Sequence, residues 1–579
     1  MTALAGFWAF GGADEPRGSV ERMLRAQQIY GKSPPALWGG GDIALGRSLF
    51  STLPEDRYDR GPVIGGGGRW VLAADIRLDD REGLSRELGV DRAECAMLAD
   101  ASLAMRAVER WGDEAIGRLV GDFALALWDA REKRLILARD FIGQRPLHYH
   151  RGGRFFALAS TPRGLQALPD VPPGPDARAV EEFLALMPET GTGSFFDKVE
   201  RVLPGEMLIA TATRWTRSRH WSFAGPPLSP MSGDDCAEAV REITDRAVAA
   251  RLRGTDRRVG AHLSGGLDSS AVAATAARLS APDGRVTAFT SVPPEGFEPG
   301  LGPSRFADEG PHAAAVAALY PNMEHVLVRT AGRSPVENLD RAFFLYQRPV
   351  LNICNLVWHD AILDEAKSRG LGVLLTGQLG NMSFSYSGLD TLPGYLSRGR
   401  IARLARETAA LRRNGLPLKS IASHALGPFV PRRLWRAINR WAGRPFQDVG
   451  RYSALRAERA EALASEAAAS GLDFAFRPWK DPLAMRLRVM EGIDFGNYNK
   501  GYLAGWGIDV RDPTADRRLV ELCLSIPPAQ YLVRGETRAV ARRAFSDRLP
   551  PIVTREIRKG MQGTDWHLGL TAAWAEVRD

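Results

Sequence analysis

The chain has 579 residues, 45% of them hydrophobic and 25% charged, a composition typical of a globular protein with two large or three smaller domains. Its formal charge of +8 is mild for this length, and Cys95, Cys236, Cys354 and Cys523 have the spacing of neither a metal motif nor a disulfide scaffold. Because no stretch approaches the roughly 20 apolar residues that span a bilayer, we expect a soluble, cytoplasmic protein with reduced, buried thiols.

The first 215 or so residues are rich in predicted strands. Apolar runs of strand length are bounded by Gly and Asp turns, and helical stretches such as 96–111 lie between them. We interpret His148 and His150 as alternating strand residues rather than metal ligands. Two layers of strands with helices outside fit this pattern. The runs are 70–74, 123–128, 135–139 and 155–159.

A proline-rich, polar stretch at 226–235 marks the predicted domain boundary, which gives domains 1–225 and 226–579. A helix with a period of 3.6 residues follows over 235–253. From Arg258 onward strands alternate with helices, so this part is α/β with a doubly wound parallel sheet. The chain from Leu392 is predicted to form a helical extension. The predicted strands are 259–263, 286–291, 325–328 and 373–376, and the helices are 269–279, 309–320 and 357–368.

Two stretches, 398–413 and 432–444, concentrate arginine. Their simplest interpretation is a pair of solvated helix faces, and the alternative is a docking surface for a phosphate-bearing or acidic partner. Elsewhere the arginines are dispersed and lack the interleaved aromatic residues of a nucleic-acid binder. We therefore expect no nucleic-acid partner, and the lack of a long apolar run predicts no membrane partner.

The strongest chemical signal is the string Ser-Gly-Gly-Leu-Asp-Ser-Ser at 264–270, between a predicted strand and a predicted helix. The N-terminus of a helix offers unpaired N–H groups to an anion, and Gly265 and Gly266 let the backbone approach a phosphate closely. Asp268 would repel a phosphate unless it held a cation, which points to Mg²⁺. The string lacks the ending of a Walker A loop and the third glycine of a dinucleotide fingerprint.

This string resembles the PP-motif of the N-type ATP pyrophosphatases, in the form used by asparagine synthetase and its relatives. Residues 121–128 and 138–147 are similar to the amidotransferase-like N-domain of that family, and 512–521 to its C-terminal signature. The resemblance implies a degenerate amidotransferase-like α+β sandwich joined to a PP-loop synthetase domain. It also implies that ATP and Mg²⁺ bind, and that ATP is cleaved between its α and β phosphates.

Two departures from the family pattern narrow the expected function. An active N-domain needs a cysteine directly after the initiator methionine, whereas this chain has Thr2, so the amine is expected to come from the substrate. A GQ-x-GN string at 377–388 replaces the GEGxDE-type motif and puts Asn381 where an aspartate would help to hold magnesium. This string, 558–566 and 348–358 resemble the lasso peptide macrolactam cyclases.

The resemblance therefore implies an ATP-dependent carbon–nitrogen ligase that releases AMP and pyrophosphate. An Asp or Glu side chain of a precursor peptide is adenylated, and the N-terminal amine of the same peptide closes the ring. A leader peptidase and a leader-recognition protein are implied partners. Three alternatives stay open: an asparagine synthetase-like enzyme that uses free ammonia, a β-lactam synthetase-like enzyme for a small substrate, and a non-catalytic paralogue that binds a peptide.

The resemblance also assigns roles to single residues. Arg558 or Lys559 supplies positive charge to the α-phosphate, and the register between them stays open. The pair Asp308–Glu309 resembles a family DE pair, or is only a helix cap. The residues implied to shape the substrate pocket are Gln378, Asn381, Ser383 and Tyr386. The segments 259–263 and 288–291 are implied to line the adenosine site. The residues implied to bind the nucleotide and pyrophosphate are Leu263, Ser264, Gly265, Gly266, Leu267, Asp268, Ser269, Ser270, Thr290 and Gly377, with Asp268 also the metal ligand.

Overall fold

The computed structural model describes residues 2–578 apart from 12–14, 188–190, 224, 226–230, 299, 303, 331, 443–448, 470 and 472–476. The predicted domain boundary at 226–235 lies partly outside the described residues. Arg444, at the end of the second arginine-rich stretch, also lies outside the described residues. In the part of the chain that is described, no helix is long and apolar enough to cross a membrane.

The N-terminal region forms two antiparallel sheets, as the alternating apolar runs predict. The strands are β1 (Ala3–Ala9), β2 (Ala36–Gly40), β3 (Ile43–Ser48), β4 (Val63–Gly65), β5 (Trp70–Leu78), β6 (Gly121–Asp129), β7 (Arg134–Arg139), β8 (His148–Arg151), β9 (Phe155–Ala159), β10 (Glu200–Arg201), β11 (Glu206–Ala210) and β12 (Trp215–Arg219). The helices are α1 (Pro16–Ala26), α2 (Arg81–Leu88), α3 (Arg92–Ala96), α4 (Asp100–Trp111), α5 (Pro162–Gln166) and α6 (Ala177–Leu184).

The two sheets pack face to face and carry helices on their outer faces. Their strand orders are β10-β8-β9-β1-β3-β2 and β12-β11-β7-β6-β5-β4. Leu4 and Trp8 of the first sheet share a buried cluster with Val71 and Ala126 of the second. Helix α1 covers the first sheet and α4 covers the second. Burial of apolar side chains on both faces of each sheet fixes this layered sandwich.

The C-terminal region is built on a parallel sheet with the order β16-β14-β13-β17-β18. Its strands are β13 (Arg258–His262), β14 (Arg285–Ser291), β16 (Met323–Val328), β17 (Val373–Leu375) and β18 (Asp509–Arg511), and two small pairs are formed by β15 (Arg305–Phe306) with β21 (Lys559–Gly560) and by β19 (Leu532–Val533) with β20 (Glu536–Thr537). Separate buried clusters lie on the two faces of the sheet, one with the helices at 233–251 and 267–280 and the other with the helices at 339–346, 353–368 and 496–506. The sheet is therefore doubly wound, as predicted.

The helices of this region are α7 (Gly233–Arg251), α8 (Leu267–Ser280), α9 (Gly310–Ala317), α10 (Leu339–Tyr346), α11 (Ile353–Ser368), α12 (Leu392–Ser397), α13 (Ile401–Arg413), α14 (Leu418–Leu426), α15 (Arg432–Trp441), α16 (Val449–Tyr452), α17 (Ala457–Ala469), α18 (Pro482–Glu491), α19 (Gly496–Trp506), α20 (Arg517–Ser525), α21 (Ala539–Ala544), α22 (Pro551–Thr554), α23 (Trp566–Ala572) and α24 (Trp574–Arg578). The predicted helical extension is thus present from Leu392 onward.

Most predicted elements are found within one to three residues of their expected ends, the usual scatter of helix and strand termini. The helix predicted over 96–111 is instead two helices, because α3 ends at Ala96 and α4 begins at Asp100. His148 and His150 lie in β8, as predicted. All four cysteines are free thiols, and each except Cys354 is buried.

Charged side chains that are almost completely buried join the N-terminal sandwich to the C-terminal region. Lys500 Nζ lies 2.7 Å from Asp75 Oδ2, and Arg139 Nη2 lies 2.7 Å from Asp494 Oδ1. Lys500 also donates to the main-chain oxygen of Thr2. A buried charge is tolerated only when it is paired, so these contacts fix the two regions against each other.

Candidate active site

A cavity of about 250 Å³ lies at the carboxyl ends of β13, β14 and β17. The chain passes from β13 to β14 on one side, whereas β17 lies on the other side of β13, so the cavity stands where the strand order reverses. This is the position at which open α/β sheets bind ligands. The lining residues are His262, Leu263, Ser264, Gly266, Asp268, Ser269, Phe289, Ser291, Glu309, Trp358, Ile362, Thr376, Gly377, Gln378, Asn381 and Gln562.

The serine-glycine turn is held open toward the cavity by its own hydroxyl groups. Ser264 Oγ lies 2.7 Å from Ser269 Oγ and accepts a hydrogen bond from the Gly266 amide at 3.1 Å. Helix α8 begins at Leu267, and no side chain caps its N-terminus. The first amides of α8 are therefore available to an anion, and the helix dipole favours negative charge there.

The turn at 377–380 approaches Asp268 so closely that only glycine fits. A Cβ on Gly377 would lie 2.8 Å from the main-chain carbon of Asp268, and one on Gly380 would lie 2.1 Å from Asp268 Oδ1. Neither glycine has a positive φ, so steric contact rather than backbone conformation requires them. In the GQ-x-GN string, Gly377 thus packs on the main chain at Asp268 and Gly380 packs on its carboxylate.

Asp268 has the environment of a ligand for a cation. Its Oδ1 atom is buried and has no hydrogen-bond partner among the described residues. Burial raises the pKa of this carboxyl, while the positive charge of Arg538 and the nearby Ser385 hydroxyl oppose the rise. An orphaned carboxylate oxygen beside an anion site fits Mg²⁺, which binds one or two protein carboxylates together with substrate phosphates. In the part of the chain described, no group of three or more His, Cys, Asp or Glu could hold a metal ion.

Arg538 is a cation of this site that the sequence analysis missed. Its Nη2 donates to Asn381 Oδ1 at 3.3 Å, and its charge acts on Asp268. The residue has φ of 57°, a left-handed conformation that costs a non-glycine residue free energy and is often found at functional sites. It follows Ser270 by well over two hundred residues, and no local pattern marks it.

Glu309 joins three segments of the site, while its neighbour Asp308 caps a helix. Asp308 Oδ1 accepts from the Gly310 amide at 2.8 Å at the start of α9. Glu309 lines the cavity and accepts from Gln562 Nε2 at 3.0 Å. Burial raises the pKa of Glu309 to about 6, against hydrogen bonds from Gln562 and the Gly265 amide. The helix-cap interpretation therefore holds for Asp308, whereas the family role of Glu309 stays a prediction.

The basic pair near the C-terminus is held beside the cavity by a short parallel pairing. The Lys559 amide donates to the Ser304 oxygen at 2.9 Å, and β21 pairs with β15. Arg558 is bound by Glu556, whose Oε2 lies 2.7 Å from Arg558 Nη2 and 3.1 Å from His312 Nε2. Neither Arg558 nor Lys559 lines the cavity in this structure, and the choice between them stays a prediction.

Part of the cavity lining is aromatic or apolar. His262, Phe289, Trp358 and Ile362 form this part. Burial lowers the pKa of His262 to about 4, so the imidazole is neutral, and its Nε2 has no partner among the described residues. Flat apolar walls with one free polar atom suit a heterocyclic base. The predicted adenosine-site segments 259–263 and 288–291 each place residues at this cavity.

Several residues that the resemblance assigns to ligand binding have side-chain or packing contacts that support the turn. Leu267 is in the core, and Ser270 Oγ donates to the Ser264 oxygen at 3.0 Å. Gly265 packs on Phe306, and Thr290 Oγ1 donates to the Leu263 oxygen at 2.7 Å. None of these four lines the cavity. They fix the turn's shape, and sequence alone does not separate this role from direct contact.

Ser383 and Tyr386 differ from the prediction that they shape the substrate pocket. Both are buried, and Tyr386 Oη donates to Asp390 Oδ2 at 2.9 Å. Both residues follow the turn at 377–381 and lie in the core. Ser383 Oγ donates a hydrogen bond back to the main-chain oxygen of Gly380. Gln378 and Asn381, which precede them, do line the cavity.

Thr2, at the start of the N-terminal sandwich, lies in a filled pocket. It is 4% exposed and lines a cavity of only about 20 Å³ together with Asp75 and Arg145. This space is about that of one water molecule. A pocket of this size has no room for an amino-acid substrate.

The fold and the cavity define a class of protein: a parallel α/β domain with an anion-binding serine-glycine turn at the carboxyl edge of its sheet, joined to an antiparallel amidotransferase-like sandwich. The sequence model of the family Asparagine synthase matches residues 239–577, and that of the Glutamine amidotransferase domain matches 1–221. The chain belongs to the asparagine synthase family.

Individual relatives are more distant. The chain is 25% identical over 342 residues to asparagine synthetase [glutamine-hydrolyzing] 3 of Bacillus subtilis, covering 58% of this chain and 55% of that protein. It is 31% identical over 311 residues to a putative asparagine synthetase of Mycobacterium tuberculosis, covering 50% and 46%. The chain thus spans about half the length of these curated relatives.

A solved structure of a Bacillus subtilis glutamine phosphoribosylpyrophosphate amidotransferase with ADP and GMP covers 50% of this chain and 75% of its own, at 14% identity and a TM-score of 0.28. That likeness is too weak to support an inference about the site.

Proposed function

We propose that this protein activates a carboxylate as its adenylate with ATP and then joins it to an amine, releasing pyrophosphate and AMP. The observation that carries the proposal is the serine-glycine turn at 264–270, with free helix amides beside the orphaned carboxylate of Asp268. Such a site binds a leaving diphosphate and a cation together. The aromatic part of the cavity lining suits the adenine base.

The chain's own residues supply most of the stabilisation in this scheme. Ser264, Ser269 and the first amides of α8 hold the departing pyrophosphate, and Arg538 with Arg558 or Lys559 adds positive charge. Donors already placed where charge develops give the largest single contribution to catalysis in many enzymes. Mg²⁺, held by Asp268 and the phosphates, would neutralise negative charge as the diphosphate leaves.

We further propose that both reacting groups belong to one peptide, so that the product is a macrolactam of the lasso peptide kind. Two features support this: Thr2 stands in place of a cysteine nucleophile in a filled pocket, and Gln378 and Asn381 line the cavity in the GQ-x-GN string. An amine tethered to the acyl-adenylate reacts without the entropy cost of a bimolecular encounter. A precursor peptide, a leader peptidase and a leader-recognition protein are the proposed partners.

The second candidate is an asparagine synthetase-like ligase that acts on a small acid with free ammonia. The names of the curated relatives favour it. It differs from the first in its amine source and not in its use of ATP.

Isotope transfer tests the shared first step. With ATP, Mg²⁺, an amine and an acid carrying ¹⁸O in its carboxylate, we expect pyrophosphate and AMP that carries one ¹⁸O atom, because the amine attacks the acyl carbon and the bridging oxygen stays on phosphorus. Release of ADP and orthophosphate would contradict the proposal.

Asp268→Ala should lower pyrophosphate release at least a hundredfold, on the order seen when a charge-stabilising group is lost, without changing the circular dichroism spectrum.

Paired substrates separate the two candidates. A linear peptide with a free N-terminus should lose one water molecule in mass, whereas the same peptide acetylated at its N-terminus should not. Amidation of free aspartate by ammonium, with no change in the peptide, would favour the second candidate.

A further inference from the structure

The excess positive charge of the protein is confined to one helical segment, residues 392–441. This segment holds 11 Lys and Arg residues and a single acidic one, Glu407. The rest of the chain has 65 basic and 67 acidic residues. Glu407 is buried and accepts hydrogen bonds from the amides of Arg534 and Gly535, so it does not offset the surface charge.

Most arginines of this segment form no ion pair with the described residues, although Arg403 lies over the Tyr395 ring and Arg432 donates to the Ala468 oxygen. Most of the arginines without an ion pair are exposed. This differs from the N-terminal sandwich, where arginines such as Arg77 and Arg139 are buried in ion pairs. The unpaired arginines are Arg398, Arg400, Arg403, Arg406, Arg412, Arg413, Arg433, Arg436 and Arg440.

Helix α15 places an apolar face beside these charges. Trp435 and Asn439 are buried and anchor the helix to the protein. Leu434, Ile438 and Trp441 fall on a neighbouring face and are exposed, Trp441 by 91%. At 100° per residue, the buried face borders one edge of this exposed apolar face, and Arg433 and Arg440 lie beyond its other edge. The exposed face is therefore apolar with a basic border.

The adjoining helix extends the apolar surface. Leu418 and Leu426 of α14 and Phe429 of the connection to α15 are also exposed. Single exposed apolar residues are ordinary, but several large ones within 24 residues of a charged segment mark an interaction surface.

We propose that α14 and α15 dock this protein on the surface of an anionic phospholipid bilayer. A helix with Trp, Leu and Ile on one face and arginines at its border has the pattern of helices that lie in the membrane interface. Clusters of basic residues add attraction to acidic headgroups. Nucleic acid would use the charge but leave the apolar face in water, so the bilayer accounts for both observations.

The proposal concerns the membrane surface and does not involve a spanning segment. It departs from the sequence expectation of no membrane partner, which rested on the lack of a long apolar run. The exposure of Leu434, Ile438 and Trp441 is visible only in the folded chain. The proposal is independent of the proposed ligase activity.

Vesicle sedimentation of the full chain tests it. We expect binding to phosphatidylcholine vesicles that contain about 30% phosphatidylglycerol, loss of binding at high salt, and none to phosphatidylcholine alone. Trp441→Ala should weaken binding several-fold, and Arg433→Glu with Arg440→Glu at least tenfold, on the order of one factor of five per charge removed.

Matched variants elsewhere keep the result interpretable. Trp574→Ala removes another exposed tryptophan, and Arg131→Glu with Arg154→Glu reverses two exposed charges of the N-terminal sandwich. Neither should change binding. Absence of vesicle binding at low salt, or equal losses in the control variants, would overturn the proposal. Binding of polyglutamate or DNA without vesicle binding would assign the surface to another polyanion and also overturn it.

Discussion

At the scale of single residues, the pKa of Glu309 links the site to the pH dependence of stability. Burial raises that pKa from 4.5 to about 6, so between these values the folded protein keeps a proton that the unfolded chain has released. The free energy of unfolding should therefore fall by about 2 kcal/mol as pH rises through this window. Glu309→Gln should lack this fall.

Thermal melting of the ligand-free protein between pH 4.5 and 7 checks the Glu309 prediction. The melting temperature of Glu309→Gln should gain on the unchanged protein as the pH rises. Glu337→Gln, which alters an exposed glutamate, serves as the control and should follow the unchanged protein. Parallel curves for Glu309→Gln and the unchanged protein would show that the carboxyl is ionised throughout.

The close contact of Gly380 with Asp268 gives a steric prediction. A Cβ at position 380 would lie 2.1 Å from Asp268 Oδ1 and must displace the carboxylate. Gly380→Ala should therefore lower pyrophosphate release by about a hundredfold, the loss that follows misplacement of a reacting group by about 1 Å. Gly372→Ala is the matched control, because a Cβ there has nothing within 4 Å. Equal activity of the two variants would contradict the assignment of Asp268.

The sequence predicted the turn at 264–270 because local chemistry marks it: glycine for close approach, serine for donors and aspartate for a cation. Arg538 escaped, since its role arises from contacts made in the folded chain. It reaches Asn381 from a distant segment. The hydroxyl groups of Thr290 and Ser270 bond to main-chain oxygens of the loop, and spacing cannot tell such a supporting residue from one that lines the cavity.

At the scale of elements, the pairing of β15 with β21 holds the C-terminal basic pair, Arg558 and Lys559, beside the cavity. Glu556 fixes the start of this segment through Arg558 and His312. Glu556→Ala should loosen it and lower the rate of pyrophosphate release tenfold or more, on the order of other positioning losses. It should do so with little change in melting temperature. Asp283→Ala, which removes an exposed partner of Arg257, is the control.

The Glu556→Ala variant also shows whether Glu556 positions the basic pair or only stabilises the fold. If Glu556 only stabilised the fold, Glu556→Ala would lower the melting temperature and leave the rate unchanged below it, and the positioning role would be wrong. Glu556→Gln keeps an acceptor for Arg558 and should restore part of the rate. Neither the β15–β21 pair nor the Glu556 contacts could be predicted, because two-residue strands leave no periodic pattern.

At the scale of the whole molecule, the sandwich and the α/β domain were predictable as folds but not as an assembly. Alternating apolar runs define the strands, and strand-helix alternation defines the parallel sheet. The joint between them depends on buried pairs such as Lys500 with Asp75 and Arg139 with Asp494, which are hundreds of residues apart in sequence. No local pattern reveals which charges will meet. Because the pocket at Thr2 is filled, we infer that the sandwich stabilises the α/β domain.

Substitutions at the Lys500–Asp75 pair test whether the sandwich stabilises the α/β domain. Lys500→Met would leave Asp75 buried without its nearest cation, and removing one partner of a buried pair costs about 3–5 kcal/mol. We therefore expect a clear loss of melting temperature, with protease cleavage becoming easier near the junction of the two regions. Lys500→Met combined with Asp75→Asn should lose less than Lys500→Met alone, because no unpaired charge remains. Arg257→Met, at an exposed pair, should change little. If the double variant is as unstable as Lys500→Met, the loss comes from packing around Lys500 rather than from the stranded charge.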